Sequence, residues 1–245
     1  MRILAMLPAA PGVFPAAGEE KRISIIRSYS TAATQIDVGY LPPGSGFNPL
    51  GGGGDLVALA RAGALAAQRA LQAESDGYDA FLPFGTVDCG VSEARKVTKT
   101  MIVVGQAEST MLFCGLLDRP FATVSFQSHG GRDYEQMRQR GVNVGVEHLM
   151  VSNTAIEIPN AEYPARREEL MERFILCARE AKGQGAEMIG VVGMSICPVE
   201  YSANELTDAC GLPVLDAMAC QVGMAEWWHR VGLPLGLLRV PRAAA

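Results

Sequence analysis

Short apolar runs alternate along the chain with longer segments of helical periodicity, the order expected of β-α-β units that build a parallel sheet. The runs Arg2–Leu7, Gln35–Tyr40, Ala80–Pro83, Met101–Val104, Phe121–Phe126, Val142–His148, Met188–Val192 and Pro213–Leu215 read as strands. Helices are expected between them over Glu19–Ser30, Asp55–Ala73, Val91–Lys99, Ala107–Leu117, Arg132–Arg140, Ala165–Lys182, Glu200–Ala209 and Ala217–Val231. Asp55 supplies an N-cap for the second helix, and Arg119-Pro120 closes the fourth. The fold class is therefore α/β.

An internal repeat organises the chain. Gly77-Tyr78-Asp79-Ala80-Phe81-Leu82-Pro83-Phe84-Gly85 and Gly185-Ala186-Glu187-Met188-Ile189-Gly190-Val191-Val192-Gly193 share an acid at the third place and glycines at both ends. Each is a strand entering a tight turn, followed by a short helix and another strand. Gly85 and Gly193 lie 108 positions apart, as do Cys89 and Cys197, because both turns read Gly-x-x-x-Cys. Two pseudo-symmetric, flavodoxin-like lobes are expected, one from 1–115 with 216–245 and one from 116–215. Ligands of open parallel sheets sit beyond the carboxyl ends of the strands, where amides face an anion. Facing lobes would put both turns around one cleft.

Composition narrows the partners. The 245 residues are 49% hydrophobic and 19% charged, enough apolar surface for large cores. A net charge of −5 without a Lys/Arg cluster offers no face to a phosphate backbone, so no nucleic-acid partner is expected. Low-charge stretches such as Ile102 to Leu117 contain Gln, Glu and Ser and fall short of the roughly 18 apolar residues that span a bilayer. No membrane partner is expected, and Pro8, Pro11 and Pro15 interrupt the N-terminus before it can read as a signal segment. A cytoplasmic protein is the expectation.

None of the six cysteines stands at Cys-x-x-Cys spacing, so the sequence supports neither a zinc site nor a dithiol redox motif. The stretch from Gly44-Ser45-Gly46 to Gly51-Gly52-Gly53-Gly54 lacks the Gly-Lys-Ser/Thr ending of a phosphate loop and the strand-to-helix context of a dinucleotide fingerprint. It reads as a flexible loop or lid.

The turns and their flanks resemble the aspartate/glutamate/hydantoin racemase superfamily over nearly the whole chain. Gly85-Thr86-Val87-Asp88-Cys89-Gly90-Val91 before Ala94-Arg95 is similar to the Cys-Phe-Gly-Asp-Pro-Gly-Leu…Ala-Arg turn of hydantoin racemases. Ile102-Val103-Val104-Gly105-Gln106-Ala107-Glu108-Ser109, Gly185-Ala186-Glu187 and Leu212-Pro213-Val214-Leu215-Asp216 match further segments. The resemblance implies cofactor-independent proton transfer between two cysteines on opposite faces of a substrate carbon. It also implies a small carboxylate or cyclic imide as substrate, and commonly a homo-oligomer.

This chain departs from the family at the chemistry, because the family cysteines fall on Gly85 and on Gly193 or Met194. Arylmalonate decarboxylases resemble it there, with Gly-Thr at the first cysteine as in Gly85-Thr86, and with a Pro-Pro-Ala-Ala-Gly loop like Leu7-Pro8-Ala9-Ala10-Pro11-Gly12. They keep the second cysteine, which this chain does not obviously keep.

Enolate chemistry needs hydrogen bonds to a developing oxyanion and a poised proton carrier. Cys89 and Cys197 are candidate carriers, since a thiol at a helix N-terminus has a lowered pKa. Histidine as a residue type titrates near neutral pH, so His129, in Gln127-Ser128-His129-Gly130-Gly131, is a candidate to replace a thiol. Thr86, Ser195 and the amides around Gly85 are candidate donors, with Pro8 lining the cleft and Asp88 either contacting substrate or capping the next helix. Glu108 reads as a helix cap, and His148 and His229 as structural. A racemase or isomerase is the leading expectation. A decarboxylase, a ring-opening hydrolase in which His129 activates water, and a non-catalytic binding protein are the alternatives.

Overall fold

In a computed structural model, which describes residues 1–49, 56–85, 88–126 and 132–232, two parallel sheets carry the chain. The first contains β1 (Arg2–Leu7), β2 (Gln35–Tyr40), β3 (Ala80–Pro83) and β4 (Ile102–Val103) in the order β2-β1-β3-β4. The second contains β5 (Phe121–Ser125), β6 (Met150–Ala155) and β7 (Met188–Val192) in the order β6-β5-β7. Pro213–Leu215, expected as a full strand, contributes an isolated parallel bridge between Ile189 and Val214. The sheets are thus two copies of one plan: β1 and β5 sit between flanking strands, and β4 and Val214 occupy equivalent edges.

The strands are apolar because helices cover both faces of the first sheet; β3 is buried at every residue and β1 at all but its first. The helices are α1 (Ala16–Ser28), α2 (Leu56–Ser75), α3 (Val91–Val97), α4 (Gln106–Leu116), α5 (Arg132–Val144), α6 (Arg167–Gly183), α7 (Ala203–Cys210) and α8 (Ala217–Arg230). In α2 the buried face is Ala58, Ala62, Gly63, Ala66, Ala67, Ala70 and Ala73, so backbones can approach closely. A Cβ on Gly90, at the start of α3, would meet the Ala66 Cβ at 2.4 Å. Asp55, the expected cap of α2, lies outside the described residues.

One element differs from its sequence pattern. Val142–His148 alternates like a strand, yet α5 runs on to Val144 and Gly145, at φ 76°, ends it. Val146 is buried against Gly115 of α4, where a Cβ would lie 2.5 Å from the Val146 Cγ1. This tertiary contact decides the local conformation, and the strand begins at Met150.

Helices α4 and α8 pack on each other, and both reach β7, so they join the sheets. Close approach is possible because β7 has Gly190, where a Cβ would meet the Cys114 Sγ of α4 at 2.6 Å. Met194 and Val199, from the loop after β7, lie in the apolar cluster of the first lobe with Leu7, Phe14 and Phe84. Among the described residues, no helix is long and apolar enough to cross a membrane.

Candidate active site

In a sheet ordered 2-1-3, the loops after β1 and β3 leave in opposite directions and open a crevice at their carboxyl ends. Pro8 and Gly85 stand on its two sides. A Cβ on Gly85 would lie 3.9 Å from the Pro8 Cβ, and φ of 114° at Gly85 suits glycine. The Gly85 carbonyl accepts the Asp88 amide at 2.9 Å, and its amide donates to Gln106 Oε1 at 3.2 Å.

The second repeat shares the bond from the amide three residues on. The Gly193 carbonyl accepts the Ile196 amide at 2.8 Å and the Cys197 amide at 3.1 Å. A Cβ on Gly193 would meet nothing within 4 Å. The peptide bond between Cys197 and Pro198 is cis. The duplicated sequence thus keeps one hydrogen bond in common, while of the two glycines only Gly85 takes a positive φ.

Both thiols come at the end of these turns and face inward. Cys89 is 7% exposed, packs among Ala62, Ala66 and Val91, and its Sγ lies 3.7 Å from the Leu59 carbonyl. Cys197 is fully buried among Ile196, Tyr201 and Leu206 in the second lobe. The expected lowering of their pKa is corrected. Burial, helped by the charge of Glu93, pushes the Cys89 thiol up to about 12, and burial with the charge of Asp216 pushes Cys197 up as well.

Asp88 is also inside. Its Oδ1 accepts the Ala107 amide at 2.9 Å and its Oδ2 the Glu108 amide at 3.0 Å, so it caps α4 rather than the adjacent α3. Burial, and then the negative charge of Glu108, raises its pKa to about 6; the two amides and the positive charge of Arg140 in α5 oppose the rise. Glu108 pairs with Arg95 at 2.8 Å. Arg95 and Glu108, with Met101, Leu112 and Trp228, line a cavity of about 350 Å³ beside β4. Thr86 and His129, candidate donor and candidate proton carrier, lie outside the described residues.

Ser195 is where the lobes meet. Its Oγ accepts a bond of 3.1 Å from Nη2 of Arg22, which also donates Nη1 to the Gly18 carbonyl at 2.9 Å and stacks over Phe14 at 4.6 Å. Arg22 is 8% exposed, and burial lowers its pKa despite the charge of Glu200. Sequence reading missed this residue, because Glu19-Glu20-Lys21-Arg22 looks like a solvated face. The available signal was spacing: Gly18, Arg22 and Ile26 follow at intervals of four, and Arg22 and Ile26 are the buried residues of α1. Among the described residues no group of three His, Cys, Asp or Glu could hold a metal ion.

No protein-family model matches the sequence, and no curated protein matches it. Solved structures do match its fold. An allantoin racemase from Klebsiella pneumoniae is 22% identical, with 100% of this chain and 95% of that one covered and a TM-score of 0.75. An allantoin racemase from Pseudomonas fluorescens is 20% identical, with 100% and 99% covered and a TM-score of 0.77. An arylmalonate decarboxylase carrying a glycine-to-cysteine substitution is 14% identical, with 95% and 94% covered and a TM-score of 0.55. The chain has the two-lobed α/β fold shared by these racemases and this decarboxylase.

Proposed function

We propose that the chain is a cofactor-independent racemase or isomerase of the aspartate/glutamate/hydantoin racemase superfamily. It moves a proton at a carbon next to a carboxylate or carbonyl of a small acid or hydantoin-like substrate. The observation that carries this reading is the repeated turn: at the carboxyl ends of equivalent strands, the carbonyls of Gly85 and Gly193 each accept the amide three residues further on. Two such turns offer donors from two sides to one substrate carbon. In the forward step the C–H bond breaks, its electron pair moves onto the carbonyl oxygen, and the base keeps the proton. A proton delivered to the opposite face completes inversion.

Cys89 and Cys197, protonated and packed in the cores, would have to leave them to carry the proton. His129, which follows β5 in the chain, is the carrier we assign to one face, and solvent water delivers the proton to the other, with Thr86, Ser195 and turn amides holding the oxyanion. The test is incubation in D2O with small chiral acids and 5-substituted hydantoins, followed by NMR at the α-carbon. Deuterium enters at least one of them, His129→Ala abolishes entry, and Cys89→Ala and Cys197→Ala retain it. No exchange into any member of either class would overturn the reading.

A decarboxylase is the second reading, favoured by glycine in both turns together with two buried thiols. Loss of CO2 leaves its electron pair on the enediolate and needs one proton donor, not a pair. CO2 release from a substituted malonate, with no exchange into the acids, distinguishes it.

A further inference from the structure

We propose that Arg22 is the carboxylate-binding residue of the interlobe cleft, so that the natural substrate is an acid and not a neutral cyclic imide. The inference rests on the proton-transfer reading for the word substrate, but its anion site stands on geometry alone. Arg22 joins two carboxyl-end surfaces: α1 follows the loop after β1, a helical arginine reaches back toward its own N-terminus, and Ser195 follows β7. The residue therefore ties the segment after β1 to the turn after β7.

Its charge is not matched. Among the described residues no carboxylate lies within 4.0 Å of its guanidinium. Glu200 acts on it at longer range and is itself paired with Lys21 at 3.2 Å. The Gly18 carbonyl and the Ser195 hydroxyl, both neutral, take two of its five N–H donors. A buried cation is costly unless an anion answers it, and a planar fork with free donors fits a carboxylate in particular. Gly18 keeps the space for this arrangement, since a Cβ there would come to 3.2 Å from Nη1. The Phe14 ring fixes the plane of the guanidinium from one face. A mere structural clamp would not need a charge, whereas an anion-binding group would.

The test follows thermal unfolding of the full chain with malonate or hydantoin, each at matched ionic strength in sodium chloride. Malonate raises the unfolding temperature of the wild type in a saturable way, and hydantoin does not. Arg22→Met weakens malonate binding at least about ten-fold without lowering the unfolding temperature of the free protein. Arg22→Gln, neutral and polar, loses the same affinity and serves if R22M does not fold. Malonate affinity unchanged in a folded R22M or R22Q overturns the proposal, as does a wild type stabilised by hydantoin but not by malonate. Loss of malonate binding in R22M without isotope exchange into any acid keeps the anion site and removes the racemase reading. Exchange into hydantoins that R22M leaves intact overturns the acid as natural substrate.

Discussion

The carboxylate of Asp88 occupies the volume that a side chain on Gly105 would need: a Cβ there would lie 2.6 Å from Oδ2 and 2.7 Å from Cγ. The turn after β3 is thereby locked to the start of α4. Gly105→Ala must displace either the carboxylate or the helix, and we expect a loss of about 2 kcal/mol or more. Urea denaturation of the variant measures it; an unchanged midpoint would show that the carboxylate is free to move.

Burial of Asp88 also gives stability a pH dependence. With a folded pKa raised from 3.8 to about 6, the folded state holds more protons than the unfolded state between those values. The neutral form is favoured by folding, so this contribution is full below about pH 4 and is lost as pH rises through about 6. The decline is on the order of 3 kcal/mol. Unfolding free energies of wild type and Asp88→Asn from pH 4 to 7 should converge at the acid end and separate in slope above it. Parallel curves would contradict the assignment.

Thiol reactivity follows packing. Cys210 is half-buried, and the other five cysteines are buried. In the native protein at pH 8 one thiol should react quickly with an aromatic disulfide reagent, and the rest only in denaturant. Rapid modification of Cys89 or Cys197 would show that these sulfurs visit the cleft.

The two turn glycines should respond differently to a side chain. Gly85→Cys places a Cβ on a backbone at φ 114° and should cost about 1–3 kcal/mol. Gly193→Cys meets open space and should stay within about 0.5 kcal/mol of wild type. Thermal unfolding of the two variants decides this, and equal losses would place the Gly193 backbone elsewhere.

Much of the architecture was legible in the chain. The bounds of β1, β3 and β7 follow from apolar runs between glycine and polar punctuation, because a central strand has little freedom in composition, and those of the edge strand β2 follow although only Ile36 of it is buried. The repeat also located both turns. What it did not show was direction: Cys89 and Cys197 hold equivalent positions, but both come after the bend and face the cores. Arg22 was illegible for the opposite reason. Its charged neighbours suggest solvent, and only the meeting of α1 with a turn 173 residues away buries it.

Met194 and Val199 belong to the turn of the second repeat but are packed in the core of the first lobe. Swinging the lobes apart would pull both side chains into water, at about 1.5–3 kcal/mol each. Hinge opening is therefore a rare excursion, and the lobes should melt in one transition. A ligand bound between the lobes would then have to enter and leave without the lobes parting.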